Sequence, residues 1–285
     1  MLGSHKTNTM TIKRILLCLS SLIMANGFAY IPSAQAETTE NHSTDNDNDL
    51  ALKLQNPVAN LISVPIQNNW DFGAGSTNAM HYTVNVQPVI PFSINDDWNL
   101  ITRTILPISH LEPSVAGGKD VNGLGDITQS FFLSPKAPVG GWIMGAGPAF
   151  LYPSASDNAL GSQKWGAGPT AVFLKQEDGW TYGALANHIW SFAGSAYRTD
   201  VSSTFLQPFI AYTTKMHTTL GLNTESTYNW ESNQWNVPLN LQLSQVLKLG
   251  SQPVQFTLGG RYYADKPAGG ADWGLRFVVT LIFPK

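Results

Sequence analysis

Trp235-Asn236-Val237-Pro238-Leu239-Asn240-Leu241-Gln242-Leu243-Ser244 decides the fold. In an extended chain, Trp235, Val237, Leu239, Leu241 and Leu243 take one face, and Asn236, Asn240, Gln242 and Ser244 take the other. A soluble sandwich would pack the apolar face on a core and give the polar face to bulk water. A barrel that crosses a membrane gives the apolar face to lipid and lines its lumen with the polar one.

Outward from this segment, alternation returns along the chain beyond residue 60. Strands are predicted to begin near Ile62, Met80, Trp98, Gly123, Gly141, Gly166, Trp180, Ser203, His217, Trp235, Pro253 and Trp273. Short turns run through Asn95-Asp96-Asp97, Pro135 to Gly140, Glu177-Asp178-Gly179, Thr214-Lys215-Met216 and Leu249 to Gln252. The other connections are longer (72–79, 109–122, 153–165, 192–202 and 265–272), apart from a tight one at Glu231 to Gln234. Short turns at one end and long loops at the other are the periplasmic and extracellular ends of an outer-membrane barrel, and an even strand count puts both termini at the short-turn end. The predicted fold is all-β, an antiparallel transmembrane β-barrel of about 12 strands. After residue 36 no apolar run reaches the ~20 residues of a spanning helix, which leaves a closed barrel as the structure that satisfies every backbone group in lipid.

The aromatic spacing agrees. Trp142 and Tyr152, and again Trp180 and Trp190, lie ten residues apart on one strand face. Ten residues at roughly 3.3 Å, tilted by about 40°, advance on the order of 25 Å, the height of the apolar band between two aromatic girdles. Asp272-x-Gly274-x-x-Phe277-x-Val279 has the polar-x-Gly-x-x-aromatic-x-apolar form of a C-terminal insertion signal, with Phe277, Val279, Leu281 and Phe283 on the lipid face. The chain then ends in Pro284-Lys285 rather than an aromatic.

The front of the chain predicts export. Lys13-Arg14, the apolar run Ile15 to Met24, and Ser33-Ala34-Gln35-Ala36 are the three regions of a cleaved signal peptide, residues 1–36. The single cysteine, Cys18, falls inside it, so no disulfide or thiolate chemistry is expected in the mature chain. Removing Lys6, Lys13 and Arg14 leaves 13 basic residues against 19 acidic ones, a net of −6. Residues 37–49 read as a disordered acidic leader and 50–285 as the barrel domain, within which 50–64 is expected to form a short periplasmic helix or a plug. No basic patch interleaved with aromatics occurs, which argues against nucleic-acid binding.

Several segments carry a family resemblance. They are Asn56-Pro57-Val58-Ala59-Asn60-Leu61-Ile62-Ser63-Val64-Pro65, Gln87-Pro88-Val89-Ile90-Pro91-Phe92, Gly123-Leu124-Gly125-Asp126 and Trp165-Gly166-Ala167-Gly168-Pro169. Asn187-His188-Ile189-Trp190, Phe205-Leu206-Gln207-Pro208-Phe209, Asn223-Thr224-Glu225-Ser226-Thr227-Tyr228 and the tail from Phe277 to Lys285 continue the series. Together they resemble the outer-membrane "transporter" family linked to the meta pathway of phenol degradation. The resemblance covers nearly all of the mature chain. It implies an outer-membrane channel for hydrophobic or aromatic compounds in a Gram-negative bacterium, and no catalytic residues.

Charges inside the strands are few: Arg103, Asp126, Lys175, Glu225, Arg261 and Arg276. An ionised group on the lipid face at mid-bilayer costs about 2–4 kcal/mol, so the charged residues should point into the lumen. Arg103 is expected to pair with Asp126, and Glu225 to serve Arg261 and Arg276. They read either as a selective constriction or as ion pairs that fill a narrow barrel. If Leu206, Pro208, Ile210 and Tyr212 meet lipid, Phe205 and Phe209 project inward; a one-residue slip would reverse this.

Three functions are weighed. The leading one is a passive channel for small hydrophobic or aromatic solutes, with outer-membrane lipids and the barrel-assembly machinery as its other partners. A lipid-active enzyme is a rival, because Asn187-His188 lies near Ser191. Adjacent strand residues face opposite ways, however, and His188 shares its face with Trp180 and Trp190. The third is a non-conducting structural barrel. No cofactor is expected, and His81, His110 and His217 lack partners at metal-ligand spacing.

Overall fold

The computed structural model describes residues 48–283. The expected signal peptide, the leader up to residue 47, and Pro284-Lys285 lie outside the described residues.

The described chain is a closed antiparallel barrel of twelve staves. Nine staves are single strands: β1 (Ile62–Ala74), β4 (Trp98–Leu111), β7 (Ile143–Tyr152), β8 (Lys164–Glu177), β9 (Trp180–Gly194), β10 (Ser202–Thr213), β13 (Gln234–Leu249), β14 (Gln252–Asp265) and β15 (Trp273–Phe283). The other three are each divided in two: β2 (Ala79–Val86) with β3 (Val89–Ser93), β5 (Val121–Leu124) with β6 (Ile127–Pro135), and β11 (Thr218–Thr224) with β12 (Ser226–Asn229). Every stave pairs with its sequence neighbour, and β1 closes on β15 in a register that sets Ile62 opposite Phe283 and Phe72 opposite Trp273. Closure removes the free edges that an open sheet would present to lipid.

The predicted strand starts agree with these within about two residues. The breaks were not expected. They fall at Gln87-Pro88, Gly125-Asp126 and Glu225. At the first, proline has no N–H for the ladder. Hydrogen bonding resumes through the break, with Gln87 N–H donating to the Pro65 carbonyl and Thr104 N–H to that of Pro88. The breaks redirect polar side chains without opening the wall, as β-bulges do.

The alternation of β13 is realised as read. Leu239, Leu241 and Leu243 are exposed on the outside, while Asn240 and Ser244 are buried within. Leu206, Ile210 and Tyr212 are likewise outside, which puts Phe205 and Phe209 in the lumen. Such a continuous band of exposed leucine, phenylalanine and tryptophan is foreign to a water-soluble surface. It is bounded by aromatics at both ends: Trp180 leans on Tyr212 (5.0 Å between rings) at the short-turn end, and Tyr152 meets Trp165 edge-on (5.7 Å) at the other. The turn between β8 and β9 shows how tight the lower end is. Asp178 and Gly179 take φ of 50° and 82°, the two left-handed residues of a type I′ hairpin, whose twist matches the flanking strands.

At the short-turn end the chain enters its own barrel. Residues 48–54 are helical, starting two residues inside the stretch read as leader, and carry an Asp49–Lys53 ion pair of 2.6 Å. Leu50, Ala51, Ala59 and Leu61 pack on the inward faces of Val246 and Ile282. Val58 is buried among Ile101, Phe132, Val172, Leu174 and Leu185. A buried aliphatic side chain contributes about 1.5–3 kcal/mol, so this segment is a docked stopper rather than a loose tail. Gln176 fixes it further by donating Nε2–H to the Leu52 carbonyl (2.8 Å).

Candidate functional site: the lumen

Above the stopper, inward residues of β1, β13, β14, β15 and the β11–β12 break converge on a charged belt. Arg276 donates Nη1–H and Nη2–H to the two oxygens of Glu225, both at 2.8 Å, and Nε–H to Asn69 Oδ1 at 2.8 Å. Its side chain is 2 % exposed and that of Glu225 22 %. Two staves, β13 and β14, lie between the partners, so the pair bridges non-adjacent parts of the wall through the lumen. Arg261 is held separately. Its Nη1 lies 3.0 Å from both oxygens of Asp71, its Nε–H donates to Asn240 Oδ1 at 3.2 Å, and its guanidinium stands 5.4 Å from the Tyr263 ring centre. Asn240 passes the network on to Asn223 (2.8 Å). Burying such pairs is tolerable because every carboxylate oxygen finds a guanidinium and each guanidinium is held through more than one nitrogen.

Two expected pairings are corrected here. Arg103 does not pair with Asp126. The Asp126 carboxylate accepts from Ala155 N–H (3.2 Å), Ser162 N–H (2.6 Å) and Ser162 Oγ–H (2.7 Å), so it tethers the long 153–163 connection. The break at Gly125-Asp126 frees the carboxylate from the alternation that would have aimed it at Arg103. Glu225 serves Arg276 but makes no salt bridge with Arg261, whose acid is Asp71. Asp71 was legible in principle: it continues the polar face Gln67, Asn69, Asp71 of β1. Lys175 bonds Glu177 (2.6 Å) beside the β8–β9 turn, away from the belt.

Arg103 stands apart. It lies deep in the barrel yet keeps part of its surface open to the lumen. Its Nη2–H donates to Gln87 Oε1 at 2.9 Å, and among the described residues no carboxylate forms a salt bridge with it.

Three cavities follow one another along the lumen. An outer one of about 530 Å³ lies among Asp71, His81, Thr227, Asn236 and Tyr263, at the long-loop end. Thr227 also borders a second, of about 260 Å³, walled by Ile105, Leu151, Leu185, Ile189, Val201 and Phe205. Arg103 separates this chamber from a third, of about 220 Å³, which is rich in glutamine (Gln67, Gln87, Gln207, Gln242, Gln255) and floored by residues 53–61. Phe209 borders the neighbouring recess under the stopper with Leu54 and Pro57.

The residues weighed for lipid chemistry do not converge. Asn187 lines the middle chamber. His188 faces outward, with Nδ1 2.7 Å from Thr204 Oγ1 and its ring 4.0 Å from that of Trp190. Ser191 donates to Asp200 (3.2 Å) at the loop end. At that end the Lys164 ammonium, 2.7 Å away, and the Ser191 hydroxyl hold the Asp200 carboxyl below its usual range.

A closed barrel with an apolar outer band, aromatic rims and a charged interior defines a transmembrane β-barrel of the porin-like, outer-membrane kind. No family model matches the sequence, and no curated protein is detectably similar to it. Among solved structures the fold is similar to that of an outer membrane channel from Pseudomonas putida F1, with a TM-score of 0.61 and 15% identity over 78% of this chain and 94% of that one. Outer membrane phospholipase A from Escherichia coli aligns at 0.46 and 10% identity (78% and 92% covered). The KdgM porin, solved with disordered oligogalacturonate, aligns at 0.42 and 12% identity (78% and 99% covered).

Proposed function

We propose that the protein is an outer-membrane channel that passes small hydrophobic or aromatic molecules, with Phe205 and the aliphatic wall of the middle chamber as the contact surface and the charged belt as its filter. The observation that carries this reading is the chain of cavities from the loop end to the stopper, in which Thr227 is shared by the first two and Arg103 by the second two. A barrel of purely structural purpose has no need of a 260 Å³ chamber lined by Ile105, Leu151, Leu185 and Phe205 above its ion pairs. Pockets that take small ligands combine such apolar walls with a few placed polar groups. The stopper and the Arg276–Glu225 pair narrow the path, so conduction is expected to be small and gated. In this reading the signal peptide exports the chain, the barrel-assembly machinery inserts it, and short turns face the periplasm.

Single-channel recording of the refolded mature chain in a planar bilayer tests this. Small, steady openings that phenol reduces are expected. A heat-modifiable, folded barrel that never conducts, with the stopper intact or deleted, overturns the channel.

A further inference from the structure

We propose that Arg103 and the apolar chamber above it form a binding site for a small amphipathic monocarboxylate, one with a single-ring or short branched hydrocarbon body. The proposal deepens the channel reading and rests on it for its biological sense.

The charge of the lumen points to an anion. The inward belt holds three guanidinium groups, Arg103, Arg261 and Arg276, but two carboxylates, Asp71 and Glu225. Both carboxylates are engaged through both oxygens, Asp71 with Arg261 and Glu225 with Arg276. The third cation therefore has no carboxylate in salt-bridge contact among the described residues, and feels Glu225 only at longer range. A guanidinium has five N–H donors, and Arg103 gives one to the neutral amide of Gln87. Its remaining donors border the two cavities it separates. A buried cation in this condition is costly unless a partner reaches it. The guanidinium fork matches the two oxygens of a carboxylate better than any neutral group.

The chamber selects the rest of the ligand. No Asp or Glu side chain lines it, and the Glu225 carboxylate that reaches Arg103 is tied through both oxygens to Arg276. Leu151, Leu185, Ile189 and Phe205 offer apolar wall, while Thr128 and Ser130 add hydroxyl groups to the lining. A dry cavity of about 150 Å³ is enough to hold benzene in an engineered protein. This chamber, at about 260 Å³, has room for one ring and its carboxylate. A phosphate monoester fits poorly, because its further charged oxygens would face aliphatic carbon. An aromatic hydrocarbon or alcohol would fill the chamber and leave Arg103 unserved.

The test uses the mature chain refolded in detergent, with benzoate and its neutral analogue benzyl alcohol as calorimetric probes. Benzoate is expected to bind at least about tenfold more tightly than benzyl alcohol, the scale of one charge-assisted contact. In Arg103→Gln, benzoate is expected to weaken at least about tenfold while benzyl alcohol is unchanged, and Arg103→Lys is expected to keep part of the preference. Should Arg103→Gln fail to fold, as heat-modified mobility would reveal, the comparison of benzoate with benzyl alcohol in the unaltered protein decides by itself. Equal affinity for the two probes, or full benzoate binding in a folded Arg103→Gln barrel, overturns the site. Binding needs no conduction. Benzoate held by a barrel that never opens keeps the site and removes the channel, and a conducting barrel indifferent to benzoate does the reverse.

Discussion

Replacing Glu225 with glutamine isolates the ion pair that crosses the lumen. The substitution keeps the shape and one carbonyl acceptor, but it sets an amide NH₂ against a guanidinium N–H. Arg276, 2 % exposed, retains Asn69 and loses its counter-charge. Removing one partner of a buried pair costs about 3–5 kcal/mol. The hydrogen bond that glutamine can still accept returns about 1 kcal/mol. Glu225 is itself 22 % exposed toward the lumen, which brings the expected loss to about 2–3 kcal/mol. Arg276→Met should cost a similar amount, because it strands Glu225 instead. The double variant removes both charges, so its loss should fall short of the sum by about 2 kcal/mol or more. Urea unfolding of the four proteins in lipid vesicles, followed through the nine tryptophans, measures each term. Losses that add to within about 0.5 kcal/mol would refute the reasoning, since independent sites behave that way. The ion pair would then be a crystallisation of geometry without energetic consequence.

Other outcomes follow from the same structure. Leu241→Arg, at the middle of β13 where the side chain is 57 % exposed, should cost about 2–4 kcal/mol in vesicles, while Trp235→Arg at the rim costs about 1 kcal/mol or less; equal losses would contradict the lipid band. Val58→Asp places a carboxylate among Ile101, Phe132 and Leu174, so the stopper should loosen and the open probability in single-channel records should rise; unchanged openings would mean that the segment is not the barrier. Acid should loosen the outer loop before the wall. The Asp200 carboxyl is depressed in the folded protein, so its contribution is fully present above the unfolded value of about 3.9 and is lost as pH falls through the lower folded value. Protection against hydrogen exchange in residues 195–201, taken relative to the intrinsic rate at each pH, should therefore fall below about pH 4 and stay flat from pH 5 to 7; a loss of protection near pH 6 would point to another group.

Each stave could be found from neighbours two apart, because a strand's facing is a local property of period two. That is why Phe205 and Phe209 share one face and Leu206 and Ile210 the other on the sequence alone, while which face meets the lumen needed the pairing register. The turn at Asp178-Gly179 was equally local, since left-handed φ at both positions is a demand on the residues themselves. The stopper was only half legible: a short helix or a plug was expected at 50–64, without the contact of Val58 with Ile101 and Leu185 that seats it.

What the chain alone determined, then, was the class of fold, the two faces of each stave and the inward placement of Arg103, Glu225, Arg261 and Arg276. Which charges meet was decided by tertiary structure. Partners such as Arg276 and Glu225 are 51 residues apart, and Arg261 and Asp71 are 190 apart. Their encounter depends on how the barrel closes, which brings β1 beside β15 and aims side chains across a shared lumen. Alternation cannot foresee a break at Gly125-Asp126, where one displaced residue turns Asp126 from a lumen acid into a loop anchor. For the same reason the lack of a salt bridge to Arg103 among the described residues could not be read from its neighbours: Asp71 and Glu225 are bound to Arg261 and Arg276, and that is a property of the closed barrel.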